Sequence, residues 1–143
     1  MNAPADDHVP AEPVDWFSTR GRRGRRSFVL NFLLVNFCVA ATSGIAEAGG
    51  ELPRLVAVAC ALAGTWINLC LVAQRLHDMG RSGWLQIVPF ALGLAGIALL
   101  TLDHPLARPP GLAMLLTGWL GFAFWLALAP GTPGSNGFGS RER

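Results

Sequence analysis

Four long apolar runs, separated by short polar segments, constrain the fold of this chain more than any other feature. They cover about residues 27–48, 55–73, 84–102 and 112–129, each roughly 18–22 residues long. An α-helix rises 1.5 Å per residue, so each run is long enough to cross a hydrocarbon core of ~30 Å. The sequence therefore predicts an all-α fold, an integral membrane bundle of four transmembrane helices.

The composition supports a membrane protein rather than a soluble domain. Only 14% of the residues are charged, whereas a soluble domain carries about 25%. All 11 basic residues are Arg, a side chain that pairs with phosphate on lipid headgroups as well as on nucleic acid. Cys38, Cys60 and Cys70 lie inside apolar runs without Cys-x-x-Cys spacing, which predicts neither disulfides nor a metal site.

The chain divides into a tail, a transmembrane domain and a short end. Residues 1–15 are rich in Pro, Ala and acidic residues, which predicts a disordered N-terminal tail. Residues 16–139 form the predicted four-helix domain, and residues 140–143 a C-terminal tail. The domain begins with two aromatics and then five arginines in seven positions: Arg20, Arg22, Arg23, Arg25 and Arg26. This run indicates an interfacial anchor on anionic lipid, and its position against a hydrophobic segment disfavours nucleic acid.

The distribution of arginines predicts the orientation. With both termini in the cytoplasm, only Arg54 and Arg108 lie on the far side. The other nine lie on the cytoplasmic side: Arg20, Arg22, Arg23, Arg25, Arg26, Arg75, Arg81, Arg141 and Arg143. Cytoplasmic loops carry an excess of basic residues. We therefore expect an N-in/C-in topology in a bacterial inner membrane.

An export signal is the competing interpretation of the N-terminus. Arg25 to Leu30 resembles a twin-arginine signal, and Ala46-Glu47-Ala48 resembles a cleavage site. Cleavage there would leave three spans, starting near Gly49. The first run is of span length and three more follow it, which favours an uncleaved helix.

The polar chemistry is concentrated in one stretch between the second and third runs, RLHDMGRSGW at residues 75–84. Asp78 lies three residues from both Arg75 and Arg81 and can pair with either. The unperturbed pKa of a histidine lies near neutral pH, so His77 would suit a pH switch or a proton acceptor. The sequence contains no nucleophile elbow and no phosphate loop, so it predicts neither a catalytic residue nor a cofactor.

Three polar residues, Asn31, Asn68 and Gln86, fall inside the predicted spans near their cytoplasmic ends. A polar pocket that combines them with Arg75, His77 and Asp78 is geometrically possible. The simpler interpretation is hydrogen bonding between helices, worth about 1 kcal/mol or less per contact.

Three segments carry a recognisable pattern: RLHDMGRSGW, the stretch Gly21-Arg22 through Arg25-Arg26-Ser27-Phe28, and PGTPGSNGFG at residues 130–139. Together they resemble the small bacterial inner-membrane proteins grouped as Domain of Unknown Function 805. Val29 stands where this family usually has an aromatic residue, and the last four residues replace an acidic-Pro ending. The resemblance implies a four-helix membrane protein of unestablished activity with an uncleaved N-terminus.

All three family-like segments fall on the predicted cytoplasmic side, so we expect one assembly there that binds a ligand or partner. Its candidate members are Arg25, Arg75, His77, Asp78, Arg81, Trp84 and Asn136. The favoured function is a binding or scaffold protein that presents this face to a protein partner or anionic lipid. One alternative is a small oligomeric transporter or channel component, although the deep polar residues are neutral. The other is a membrane enzyme that acts on lipid headgroups through His77 and Asp78.

Overall fold

The structure, a computed structural model, describes residues 15–47, 49–102 and 104–139. It contains four long helices: α1 (Arg25–Glu47), α2 (Glu51–Asp78), α3 (Gly83–Thr101) and α4 (Arg108–Leu128). All four are long and apolar enough to cross a membrane, which confirms the predicted all-α membrane fold. Both predicted tails lie outside the described residues, apart from Asp15.

Two helices contain a turn that is not α-helical. α3 starts with a 3₁₀ turn, Gly83–Gln86, and α4 contains a π-helical segment, Thr117–Gly121. The hydroxyl of Ser82 accepts a hydrogen bond from the backbone N–H of Trp84 at 3.4 Å and so caps the start of α3. α4 ends just before Pro130, because the residue that precedes a proline disfavours the helical conformation.

The four helices pair as two hairpins, α1 with α2 and α3 with α4. Glycines permit this close packing. A Cβ at Gly64 would lie 2.4 Å from the Cγ2 of Val39, and a Cβ at Gly96 would lie 2.7 Å from the carbonyl oxygen of Gly111. Small residues at such crossings let helix backbones approach within a membrane, where dispersion contacts drive association. The two hairpins meet each other at the 3₁₀ start of α3, which contacts α2, and at the last turns of α4, which contact α1 and α2.

Buried side chains are concentrated at one end of the bundle, where α1 and α3 begin and α2 and α4 end. We call this the motif end. Its apolar core includes Phe28, Leu71, Leu76 and Leu126. Elsewhere large apolar side chains face outward, as expected where lipid tails supply apolar surroundings.

Candidate functional site: a buried arginine–aspartate cluster

Asp78, the last residue of α2, lies at the centre of the motif end and is paired with two arginines. The Nη2 of Arg22 lies 3.2 Å from the Oδ1 of Asp78, and the Nη1 of Arg75 donates to its Oδ2. All three side chains are fully buried. A buried carboxylate is tolerated when it is paired and hydrogen-bonded. We call these residues the Arg–Asp–Arg cluster.

Further donors of the two guanidinium groups bind backbone carbonyls at and beyond the end of α4. Arg22 donates to the carbonyls of Thr132 at 2.8 Å, Gly134 at 2.5 Å and Gly139 at 3.2 Å. The Nε of Arg75 donates to the carbonyl of Leu126 at 2.9 Å. The last carbonyls of a helix lack partners within the helix, and a cation is favourable there. The two arginines therefore hold the end of α4 and the chain that follows it.

Residues 129–139, which we call the tail segment, cap the end of α2. The backbone N–H of Thr132 donates to the carbonyl of Asp78 at 2.8 Å, and its hydroxyl donates to the same oxygen at 3.0 Å. The Nδ2 of Asn136 donates to the carbonyl of His77 at 2.8 Å and to the hydroxyl of Thr132 at 2.9 Å. Carbonyls without intrahelical partners at the end of α2 are thereby satisfied by the tail segment.

Gly131 allows the tail segment to pass directly against the cluster. A Cβ at this position would lie 2.0 Å from the Oδ2 of Asp78. No side chain can occupy that space unless the carboxylate or the backbone moves. The glycine is therefore required by close approach and not by its backbone angles.

His77 contacts both the segment before α1 and the tail segment. Its Nδ1 lies 3.3 Å from the carbonyl oxygen of Gly21, and its ring stacks on that of Phe138, with centroids 4.1 Å apart and planes at 4°. Parallel packing of this kind adds to the free energy of apolar burial. His77 therefore helps to hold the segment before α1 and the tail segment together.

Arg23 and Gln74 form a second buried contact, which secures the segment before α1. The Nε of Arg23 donates to the Oε1 of Gln74 at 2.8 Å. The Nε2 of Gln74 donates in turn to the carbonyls of Asp15 at 2.6 Å and Ser18 at 2.7 Å. The guanidinium of Arg23 also lies over the ring of Trp16, 5.5 Å from its centroid. These contacts fold residues 15–24 over the end of α2.

The interpretation of the five N-terminal arginines as one lipid anchor is wrong for Arg22 and Arg23. Their side chains are 0% and 2% exposed, because Asp78 and Gln74 provide partners more than fifty residues further along the chain. Arg20, Arg25 and Arg26 remain exposed. Arg22 was not among the predicted site residues, although the Gly21-Arg22 pair in the family-like segment was a signal for it.

The structure brings together four of the predicted assembly residues: Arg75, His77, Asp78 and Asn136. The remaining three lie around them. The Nη1 of Arg25 is 3.4 Å from the carbonyl oxygen of Leu128. The guanidinium of Arg81 lies over the ring of Trp125, 5.5 Å from its centroid. Trp84 is 78% exposed. The first four residues are thus bonded within the protein, whereas the side chains of the other three are exposed at its surface.

The predicted intramembrane polar residues lie apart from the cluster. Asn68 and Gln86 line a cavity of about 290 Å³ between the two hairpins. Asn31 instead donates to the hydroxyl of Ser27 at 3.3 Å within α1, and Asn36 lines the cavity. Neither Asn31 nor the charged cluster is among the described lining residues, so the combined polar pocket is wrong.

A model of a known protein family matches most of the chain. Residues 16–140 match the model described as "Protein of unknown function (DUF805)". No curated protein and no solved structure matches the chain. The matched range contains all four helices, the Arg–Asp–Arg cluster and the tail segment.

Proposed function

We propose that this chain, which belongs to the DUF805 family of proteins of unknown function, is a membrane-embedded binding protein for anionic phospholipid headgroups. The supporting observation is a division among the arginines of the motif end. Arg22, Arg23 and Arg75 are buried and bonded within the protein. Four others are exposed and, among the residues that the structure describes, have no acidic partner: Arg20, Arg25, Arg26 and Arg81.

Charge and position favour anionic lipid as the ligand. Basic residues beside a membrane helix attract an anionic leaflet by about 1 kcal/mol each, and a guanidinium binds phosphate bidentately. Among the residues that the structure describes, the opposite end carries only two arginines, Arg54 and Arg108. By the positive-inside rule, this asymmetry supports a cytoplasmic motif end in a bacterial inner membrane.

Two of the exposed cations are held near the end of α4. Arg25 contacts the carbonyl of Leu128 on one side, and Arg81 covers Trp125 on the other. Contacts that hold a binding group before the ligand arrives reduce the entropy lost on binding. The buried cluster thus contributes by fixing the surface that displays these exposed arginines.

The proposal is tested by measuring which lipids remain with the protein when it is released from nanodiscs of mixed phosphatidylglycerol and phosphatidylethanolamine. We expect the wild type to retain phosphatidylglycerol preferentially, as measured by native mass spectrometry. A triple variant, Arg20→Gln, Arg25→Gln and Arg26→Gln, should lose this preference. Arg54→Gln, an exposed arginine at the opposite end, serves as the control and should keep it.

An unchanged lipid preference in the triple variant would refute the proposal. Loss of a co-purifying protein from native membranes, with lipid retention unaltered, would instead identify a protein as the ligand of this face. Since all three substituted side chains are exposed, we expect the triple variant to fold as the wild type does.

A further inference from the structure

A cavity of about 290 Å³ lies between the two hairpins, below the motif end. All four helices contribute to its walls, which are mostly apolar. Its volume is close to the lower limit of ligand-binding cavities, roughly 300 Å³. The polar side chains that line it are Asn36, Thr65, Asn68 and Gln86.

Gln86 differs from the other three because part of its hydrogen-bonding capacity is unused. Its Oε1 is inaccessible to solvent and finds no partner among the described residues. Asn36 and Asn68 instead face each other, with amide contacts of 3.4 and 3.5 Å. The hydroxyl of Thr65 donates to the carbonyl of Ala61 at 2.8 Å. A buried acceptor without a donor is unfavourable, so a rotation of the Gln86 side chain that brings its Oε1 to a ligand hydroxyl in the cavity would be favourable.

The cavity runs along the helices from near the motif end into the membrane. Gln86 lies three residues into α3, about 6 Å from its start. Thr65 lies thirteen residues before the end of α2, about 20 Å deep. This shape matches an extended hydrocarbon chain that lies parallel to the helices, with its polar group at the level of Gln86.

We propose that the cavity binds the chain of a monoacyl phospholipid, with the free glycerol hydroxyl of that lipid at Gln86. A cavity this small fits one chain, and a diacyl lipid presents only ester oxygens, which accept hydrogen bonds, at the glycerol level. A hydroxyl both donates and accepts, so it fits either orientation of the Gln86 amide. The phosphate would then lie at the motif end, near Arg25 and Arg81. This placement of the phosphate rests on the proposed function.

The test uses zwitterionic lysophosphatidylcholine as the probe, with diacyl phosphatidylcholine of the same chain for comparison. Binding to the purified full chain in detergent is measured by native mass spectrometry. Ala123→Phe places a ring in the cavity, whereas Ala91→Phe places one on the exposed face of α3. We expect Ala123→Phe to weaken binding of the monoacyl lipid about tenfold or more, and Ala91→Phe to leave it unchanged.

Gln86→Leu tests the proposed hydrogen bond at this position, because it removes the amide while keeping the cavity close to its native volume. We expect it to weaken monoacyl binding about tenfold. Equal binding by both Phe variants, or diacyl binding as tight as monoacyl binding and unaffected by Gln86→Leu, would overturn the proposal. The triple arginine variant loses the phosphate contact at Arg25 and should bind the probe more weakly, yet it should keep the preference for monoacyl over diacyl lipid that Gln86→Leu removes. Failure of the headgroup proposal and failure of the cavity proposal therefore give different results.

Discussion

Arg22 and Asp78 are 56 residues apart in the chain, yet the Nη2 of the first lies 3.2 Å from the Oδ1 of the second, with both side chains fully buried. This pair joins the segment before α1 to the last residue of α2. Arg22 also binds three carbonyls of the tail segment. Three distant parts of the chain therefore converge on one ion pair, which makes Arg22 and Asp78 internal structural residues.

Asp78→Asn should destabilise the protein strongly. The neutral amide would remove the carboxylate with which the buried cations of Arg22 and Arg75 pair, and breaking a buried ion pair costs about 3–5 kcal/mol. The free energy of unfolding in detergent measures this effect. Glu51→Gln, an exposed acid at the opposite end of α2, should change it by less than about 1 kcal/mol. Comparable stability in both variants would contradict the central role of Asp78.

Gly131→Ala should reduce stability by about 1–3 kcal/mol, the cost of overpacking, because the new methyl group would lie 2.0 Å from the Oδ2 of Asp78. Gly137→Ala is a matched control in the same segment, where a Cβ meets nothing within 4 Å. The two thermal unfolding midpoints should differ clearly. Equal midpoints would show that the tail segment does not pass this close to the cluster.

Asn136→Ala and Arg22→Gln should be energetically coupled. Both side chains donate to the hydroxyl of Thr132, at 2.9 and 3.2 Å. A double-mutant cycle on the free energy of unfolding should give a coupling of about 0.5–3 kcal/mol. The control cycle pairs Asn136→Ala with Arg54→Gln and should be additive. Additivity in the test cycle as well would refute a single assembly at the motif end.

Phe138→Leu should loosen the tail segment without unfolding the bundle. The stacked ring of His77 would lose its partner, at a cost of about 0.5–1.5 kcal/mol. Hydrogen exchange of residues 132–139 should accelerate, while exchange in the helices stays the same. Phe124→Leu, on the exposed face of α4, should leave the tail unaffected. Unaltered exchange in Phe138→Leu would show that the stacking does not hold the tail.

The sequence was sufficient for the helices and for the location of the polar chemistry, because both depend on local pattern. Span length and apolar composition identified four helices, and the density of charge identified residues 75–84. The burial of Arg22 could not be inferred in this way. A cation beside a span usually faces lipid headgroups, and only the tertiary fold brings Asp78 to it.

Local sequence pattern also could not predict which of two asparagines on α1, Asn31 or Asn36, faces the cavity. The two residues are five positions apart, about 140° around the helix axis, so only one can face the cavity. The sequence predicts how deep each residue lies in the membrane, but it does not predict towards which neighbouring helix the side chain points. Packing of α1 against α2 turns Asn36 towards Asn68 and leaves Asn31 bonded within its own helix.

The most direct test of the whole account compares Arg22→Gln with the triple variant Arg20→Gln, Arg25→Gln and Arg26→Gln. Stability and retention of phosphatidylglycerol are both measured on the same preparations. We predict that Arg22→Gln lowers the free energy of unfolding by several kcal/mol. The triple variant should keep its stability and lose its anionic lipid. If Arg22→Gln is as stable as the wild type, or if the triple variant loses stability while it keeps its lipid, the division between structural and lipid-binding arginines is wrong.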